Sequence, residues 1–364
     1  MLTRRPVVLG GLACATVLPG LSACSGGTAE QEAAQGLRRS TAPASSDATA
    51  IRHAVVHSAT LAPSSHNTQC WRFHIAEGAI TIEPDFARRC PAVDPDDHHL
   101  FVSLGCATEN LVHAALANGL HAEPRADADG RIVVDLAPSR PFASPLFHAI
   151  ALRQCTRGDY DGHALAPAEL RQLEQAGTGD GVSVRLLTER PAIESVLGYV
   201  VAGNTAQMDD PAFVAELTAW IRFSAAEALR SGDGLFTGAS GNPALPRWLG
   251  TRAMRLFFTP KSENERYARQ IRNSAGIAVF VSQRSDRTHW VEAGRCYERF
   301  ALRATALGIR NAFLNPPVEV SAIRPQFAAW LGLKADERPD LVVRFGRGAA
   351  MPMSMRRPVQ AVLV

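Results

Sequence analysis

Apolar and polar residues along this chain follow two periods. Residues 51–61 place apolar side chains at helical spacing and stop at Pro63. Residues 71–75 and 80–83 then read as strands around Glu77-Gly78, a hairpin signal. Asp94-Pro95-Asp96-Asp97 predicts a helix start, since an Asp cap and an acidic first turn suit the positive end of the helix dipole. The helix continues through Leu104 and Leu116 to Gly119. Further strand candidates at 131–136, 182–187, 277–282 and 341–345 alternate with helical runs. That alternation predicts an α+β fold, with helices packed on sheets.

The helix that starts near Asp97 has a second copy. Gly105, Cys106, Glu109 and the terminal Gly119 are matched by Gly294, Arg295, Glu298 and Gly308, at equal Gly-to-Gly separation. The terminal glycines read as C-caps, and the leading ones suit close helix–helix approach. A duplicated unit follows.

The N-terminus has another character. Thr3-Arg4-Arg5 precedes an apolar run at 7–18, followed by Leu21-Ser22-Ala23-Cys24. That run falls short of the roughly 20 residues a membrane span needs. It resembles a twin-arginine export signal over 1–23 ending in a bacterial lipobox, which implies a lipidated Cys24 and a membrane-anchored, exported protein. Residues 24–49 are mostly small or polar and predict a disordered tether.

Composition changes this picture little. The 364 residues are 46% hydrophobic and 20% charged, enough to bury a core. Net charge is +3, and removing Arg4 and Arg5 leaves +1, so nucleic acid is not an expected partner. Seven cysteines form no Cys-x-x-Cys pair, which argues against a zinc site, and the odd count of five beyond Cys14 and Cys24 argues against a disulfide framework. His98 and His99 are adjacent, cannot share a helical face, and are not expected to hold a metal.

The candidate chemistry lies first in Pro63-Ser64-Ser65-His66-Asn67-Thr68-Gln69-Cys70-Trp71, where hydroxyls and amides crowd one turn. This stretch resembles the flavin-binding loop of nitroreductase-like FMN proteins, with Cys70 where Pro is usual. Arg153-Gln154-Cys155-Thr156-Arg157 resembles the family's Arg-x-Ser-x-Arg element, with Cys155 in place of Ser. Arg356-Arg357 resembles the basic element that closes the same phosphate pocket, and Phe313-Leu314 falls where the family lays chain along the flavin ring.

The resemblance implies a nitroreductase-like fold with two related halves, 50–145 and 146–364, forming an intramolecular pseudo-dimer and hence a monomer. It implies FMN at their junction, held by Ser64, Ser65, Asn67, Gln69, Arg153, Cys155, Arg157, Phe313, Leu314, Arg356 and Arg357. The implied activity is reduction of small oxidised organics such as nitroaromatics or quinones, with NAD(P)H a candidate donor. No residue is assigned as general acid or base. Rival readings are a flavin-sequestering protein without turnover and a cofactor-free structural lipoprotein. Residues 232–272 match neither copy and read equally as a lid or a surface excursion.

Overall fold

The computed structural model describes residues 25–39 and 47–364. The expected export signal and the lipidated Cys24 lie outside these residues. Helix α1 (Ser25–Arg39) and helix α2 (Ala48–Thr60) lead into β1 (Trp71–Ile75), β2 (Ala79–Pro84), α3 (His98–Ala117), β3 (Leu120–Ala126) and β4 (Ile132–Pro138). Next come α4 (Pro145–Ile150), α5 (Pro167–Ala176) and β5 (Val182–Leu187). An insert follows, with α6 (Arg190–Met208), α7 (Pro211–Trp220), β6 (Ile221–Arg222), α8 (Ala225–Ser231), β7 (Leu235–Phe236), α9 (Arg247–Phe257) and α10 (Pro260–Arg272). The chain closes with β8 (Gly276–Ser282), α11 (Arg287–Ala306), β9 (Arg310–Phe313), α12 (Pro316–Glu319), α13 (Arg324–Trp330) and β10 (Arg338–Gly346).

The duplication is visible in the topology. One four-stranded sheet runs β1-β2-β4-β3 and the other β5-β8-β10-β9, every pair antiparallel. In both, the long helix separates the second strand from the third, and the fourth strand lies between those two in the sheet. This is an α+β fold of two related halves in one chain. Strands β8 and β10 are buried at every position, which explains the apolar run of β8 and the Leu341-Val342-Val343 centre of β10.

Helices α3 and α11 cross at the middle of the molecule, and their matched glycines set the distance. A Cβ on Gly105 would lie 1.9 Å from the Val291 carbonyl oxygen, and one on Gly294 would lie 1.9 Å from that of Val102. The contacts are reciprocal, as a pseudo-twofold axis through the crossing requires. Gly119 and Gly308 follow the two helices with φ of 79° and 71°, the left-handed C-cap read from sequence. Glu109 locks the crossing from the side, accepting from Arg295 Nε at 3.1 Å and Arg299 Nη1 at 3.0 Å. Burial pushes its carboxyl up, but the His113 contact and the two guanidinium groups outweigh this and hold it at about 2.

Three expectations need correction. Helix α3 is capped from a distance: Asp97 is left-handed and makes no side-chain cap, while the Asp94 carboxylate accepts from the His99 and Leu100 N–H groups. Residues 25–39 are not a tether but helix α1, docked on α8 with Ala34 among Ala225, Ala228 and Met355. Good helix formers such as Glu, Gln, Ala, Leu and Arg sustain this helix once a partner surface exists, which composition by itself does not reveal. The insert is also larger than 232–272, because everything from α6 to α10 separates β5 from β8, where the first half has only a hairpin. Finally, the C-terminus crosses to the first half, with Phe73 N–H donating to the Val362 carbonyl at 2.8 Å.

The crossing yields a test. Gly105→Ala and Gly294→Ala should each cost about 3 kcal/mol of stability, because the obstacle is backbone that cannot rotate away. Gly78→Ala, with nothing within 4 Å, should leave the melting temperature nearly unchanged in the same thermal scan.

Candidate functional site

The loop between α2 and β1 is strained. His66, Asn67 and Gln69 all adopt positive φ, at 48°, 55° and 54°. Side-chain bonds hold the strain. Asn67 Nδ2 donates to the Gly234 and Met355 carbonyls at 3.0 and 3.2 Å, and its Oδ1 accepts from Arg356 Nη1 at 2.9 Å. Gln69 Nε2 donates to the Gly232 carbonyl, and its Oε1 accepts from the Arg357 N–H, both at 2.8 Å. The two amides thus pin the loop to the insert and to the C-terminal segment. Gln69 lines neither compartment of the cleft beside the loop and is corrected from ligand contact to brace, because both polar atoms of its amide already have a backbone partner.

Beside the loop lie two compartments of one cleft, of about 270 Å³ and about 60 Å³, which share Pro63, Ser64, Arg157, Leu235 and Phe313 in their walls. The smaller one is lined by Arg38, Asn67, Arg153, Gln154, Cys155 and Arg356 as well. Arg153 and Arg157 do not occupy successive helical turns. Helix α4 ends at Ile150, and the chain runs past Cys155, which bridges in parallel to Asn311 of β9. Non-helical backbone carries both arginines to the cleft.

The small compartment holds more positive charge than the protein neutralises. Arg38, Arg153 and Arg356 are buried together, and Glu298 is the carboxylate set against them, 3.0 Å from Arg153 Nε. Arg356 is largely committed: it donates to the Thr60, Leu61 and Ala62 carbonyls at 3.0, 3.1 and 3.0 Å, capping the C-terminal end of α2. Arg153 donates to the Leu61 carbonyl at 2.8 Å. Arg38 reaches in from α1 and donates to the Arg153 carbonyl at 3.3 Å, leaving its Nε buried without a partner. Burial, with the Arg153 charge adding to it, pulls Arg38 down to about 9. Burial also pushes Glu298 up to about 7 against the pull of Arg153 and Arg356. The Arg157 guanidinium borders both compartments and has no hydrogen-bond or ion-pair partner among the described residues. An oxygen-rich dianion satisfies such a set of donors.

The large compartment lies beyond Arg157. Ser64, Ser65 and His66 line it from the loop, His99, Val102, Ser103 and Cys106 from α3, and Phe313 from β9. The insert supplies most of the opposite wall, including Asn204, Gln207, Phe213, Leu217, Phe258, Arg266 and Tyr267. Within 232–272, residues on both sides of α9 line this cavity, from Leu235 to Asn242 and from Phe258 to Tyr267, while α9 itself stays on the surface. His66 Nε2 is buried and unpartnered. Burial above all, with Arg157 adding to it, holds its imidazole down to about 4, so it is neutral at physiological pH. His99 is held up instead: its burial is outweighed by the bond to Asp94.

Two further expectations fail. Leu314 sits in the core among Val279, Val318 and Val342, with its N–H on the Val342 carbonyl at 2.7 Å, and Arg357 sends Nη2 to the Ala361 carbonyl at 2.6 Å. Neither lines the cleft. Arg38 was invisible to motif reading, because it lies in a segment of small and polar residues. Its one trace is the helical spacing of Glu30, Ala34 and Arg38, all buried on one face of α1.

The pseudo-twofold axis generates a second cavity. The repeat that pairs Gly105 with Gly294 also pairs His99, Val102, Ser103 and Cys106 with Thr288, Val291, Glu292 and Arg295. These four line a cavity of about 440 Å³ on the far side of the crossing. There Glu292 is bonded to Arg295 and Arg299 at 2.9 and 3.1 Å, so that charge is internally matched. The two symmetry-related sites have diverged: one gathers buried arginines, while the half-buried Arg295 and Arg299 of the other are met by Glu292 and its Arg284, without a hydrogen-bond or ion-pair partner among the described residues, is exposed.

No family model matches the chain. Two curated Mycobacterium tuberculosis sequences, Putative NAD(P)H nitroreductase Rv3131 and Putative NAD(P)H nitroreductase MT3217, are each 23% identical over 334 residues, covering 87% of this chain and 92% of theirs. Among solved structures, the chain is similar to a nitroreductase with bound FMN from Desulfitobacterium hafniense, at 15% identity and a TM-score of 0.37, covering 58% of this chain and 94% of that one. It is also similar to the FMN-dependent nitroreductase NfnB of Mycobacterium smegmatis in complex with NADPH, at 13% identity and a TM-score of 0.37, covering 60% and 91%.

His66 provides a pH signature. Between its ordinary value of 6.5 and its folded value of about 4, the unfolded chain takes up a proton that the folded chain refuses. Stability should therefore fall as pH drops through that window. His66→Gln should flatten this limb of the denaturation profile, and an unchanged slope would show that His66 is not the group responsible.

Proposed function

We propose that this chain is an FMN-dependent oxidoreductase of nitroreductase type, with the flavin phosphate in the small compartment and the ring extending into the large one. The carrying observation is the surplus of buried guanidinium groups around Glu298, with Arg38 Nε orphaned and Arg157 unpaired. The likeness to curated NAD(P)H nitroreductases along most of the chain supports the same reading.

Bound flavin supplies the redox chemistry by accepting and passing on hydride or electrons. The protein's own residues position it. Arg157, Arg153 and Arg38 would hold the phosphate, while Arg356 acts mainly as a cap that fixes Asn67 and the loop. Ser64 accepts the Gln69 N–H at 2.8 Å and keeps its own hydroxyl proton to offer to the cleft. Phe313 gives an apolar wall common to both compartments. Neutral His66 can donate or accept at Nε2 without adding charge beside Arg157. Met208, Phe213, Leu217, Phe258 and Tyr267 line the remaining space, which suits a small flat organic acceptor such as a nitroaromatic or a quinone.

The test is direct. Purified protein should carry flavin absorbance, and Arg157→Ala and Arg38→Ala should each weaken FMN binding by about tenfold to a hundredfold while riboflavin binding stays as in the parent. Equal loss for both ligands would refute the phosphate assignment. Anaerobic NADPH should bleach the flavin and a nitroarene restore it. Bound FMN that neither donor nor acceptor can turn over would instead favour sequestration.

A further inference from the structure

We propose that helix α9 is an interfacial helix that docks the insert onto an anionic lipid surface. Trp248, Leu256 and Phe257 are 64%, 71% and 74% exposed, and Leu249 is partly so. These are large apolar side chains on a single eleven-residue helix whose other face is anchored. Gly250 is buried against the Phe223 ring, Thr218 Oγ1 meets Met254 Sδ at 3.7 Å, and Arg247 is bonded to Glu227 at 3.1 Å. The outward face is thus held in place rather than free to turn inward.

Charge identifies the occupant. From Gly234 to Ser262 the chain has no Asp or Glu, but it carries Arg247, Arg252, Arg255 and Lys261. Arg252, Arg255 and Lys261 have no carboxylate partner among the described residues, and the Arg252 guanidinium lies over the Trp248 ring, 5.6 Å from its centroid. Trp248, Arg252, Arg255 and Leu256 share one arc of α9, and Phe257 projects from its C-terminal end. Cations beside exposed Trp and Leu match the boundary between anionic headgroups and acyl chains, where the apolar side chains enter and the guanidinium groups stay with phosphate. A protein partner would more naturally meet a continuous apolar patch with a polar rim.

Position gives the docking a purpose. Ser240 and Asn242 before α9, and Phe258 and Tyr267 after it, line the large compartment. A lipid surface under α9 lies next to the wall of the cavity, where a lipophilic acceptor or donor dissolved in the bilayer is concentrated. The docking itself does not depend on the flavin assignment.

The test uses the full chain with Cys24→Ala, so that no lipid is attached, in flotation assays with vesicles of phosphatidylcholine alone or mixed equally with phosphatidylglycerol. The parent should bind the anionic vesicles at least about tenfold more tightly than the neutral ones. Both Trp248→Ser/Leu256→Ser/Phe257→Ser and Arg252→Glu/Arg255→Glu should lose about tenfold or more of that binding at an unchanged melting temperature. Equal vesicle affinity in parent and variants overturns the proposal. So does a parent that sediments as a dimer while the apolar variant is a monomer, since the face would then be a protein interface.

Discussion

Buried positive charge without enough negative charge is the constraint around which this molecule is arranged. Arg38, Arg153 and Arg356 come from three separate segments and converge on Glu298, with Arg157 at the edge. Burying a cation is costly unless it is paired. The fold meets part of the demand with carbonyls at the end of α2, where the helix dipole is negative. What remains unmet is a demand for a dianion. The strained loop depends on the same cluster, since Arg356 holds Asn67 and Asn67 holds the insert and the C-terminal segment.

Duplication explains why the cluster occurs on one side only. Glu109 and Glu298 occupy matched positions on crossed helices. Glu109 meets Arg295 and Arg299 and is a strong acid, while Glu298 meets a crowd of arginines in a drier place and is a weak one. The same residue thus serves as a structural lock in one copy and as part of a ligand compartment in the other. Around the far cavity the charges cancel one another, so a binding demand persists on one face of the pseudo-dimer.

Much of this was legible in the residues. Strands β1, β5, β8 and β10 follow from apolar runs, and the glycine spacing foretold both the crossing and the two C-caps. Strands β3 and β9 were missed because β3 is largely polar and interrupted by Pro124, and β9 has four residues beginning with Arg310 and Asn311, so neither carries an apolar run of its own. Ser64, Arg153, Cys155, Arg157, Phe313 and Arg356 do meet at one cleft, as motif reading expected. Gln69, Leu314 and Arg357 do not, because a motif records which residues recur and not which way each side chain turns. Arg38 escaped because its place depends on how α1 docks, a long-range contact that local composition does not encode.

The central claim is that a phosphate dianion satisfies the guanidinium compartment. Phosphorus NMR of the purified, flavin-loaded chain tests it most directly. Free phosphate monoesters take up a proton near pH 6, at about the second phosphate pKa. The account predicts a single bound resonance that stays at the dianion position well below that pH, because Arg38, Arg153 and Arg157 favour the doubly charged form. A bound resonance that titrates like free FMN would contradict it, for the phosphate would then lie in solvent and the buried arginines would answer to something else.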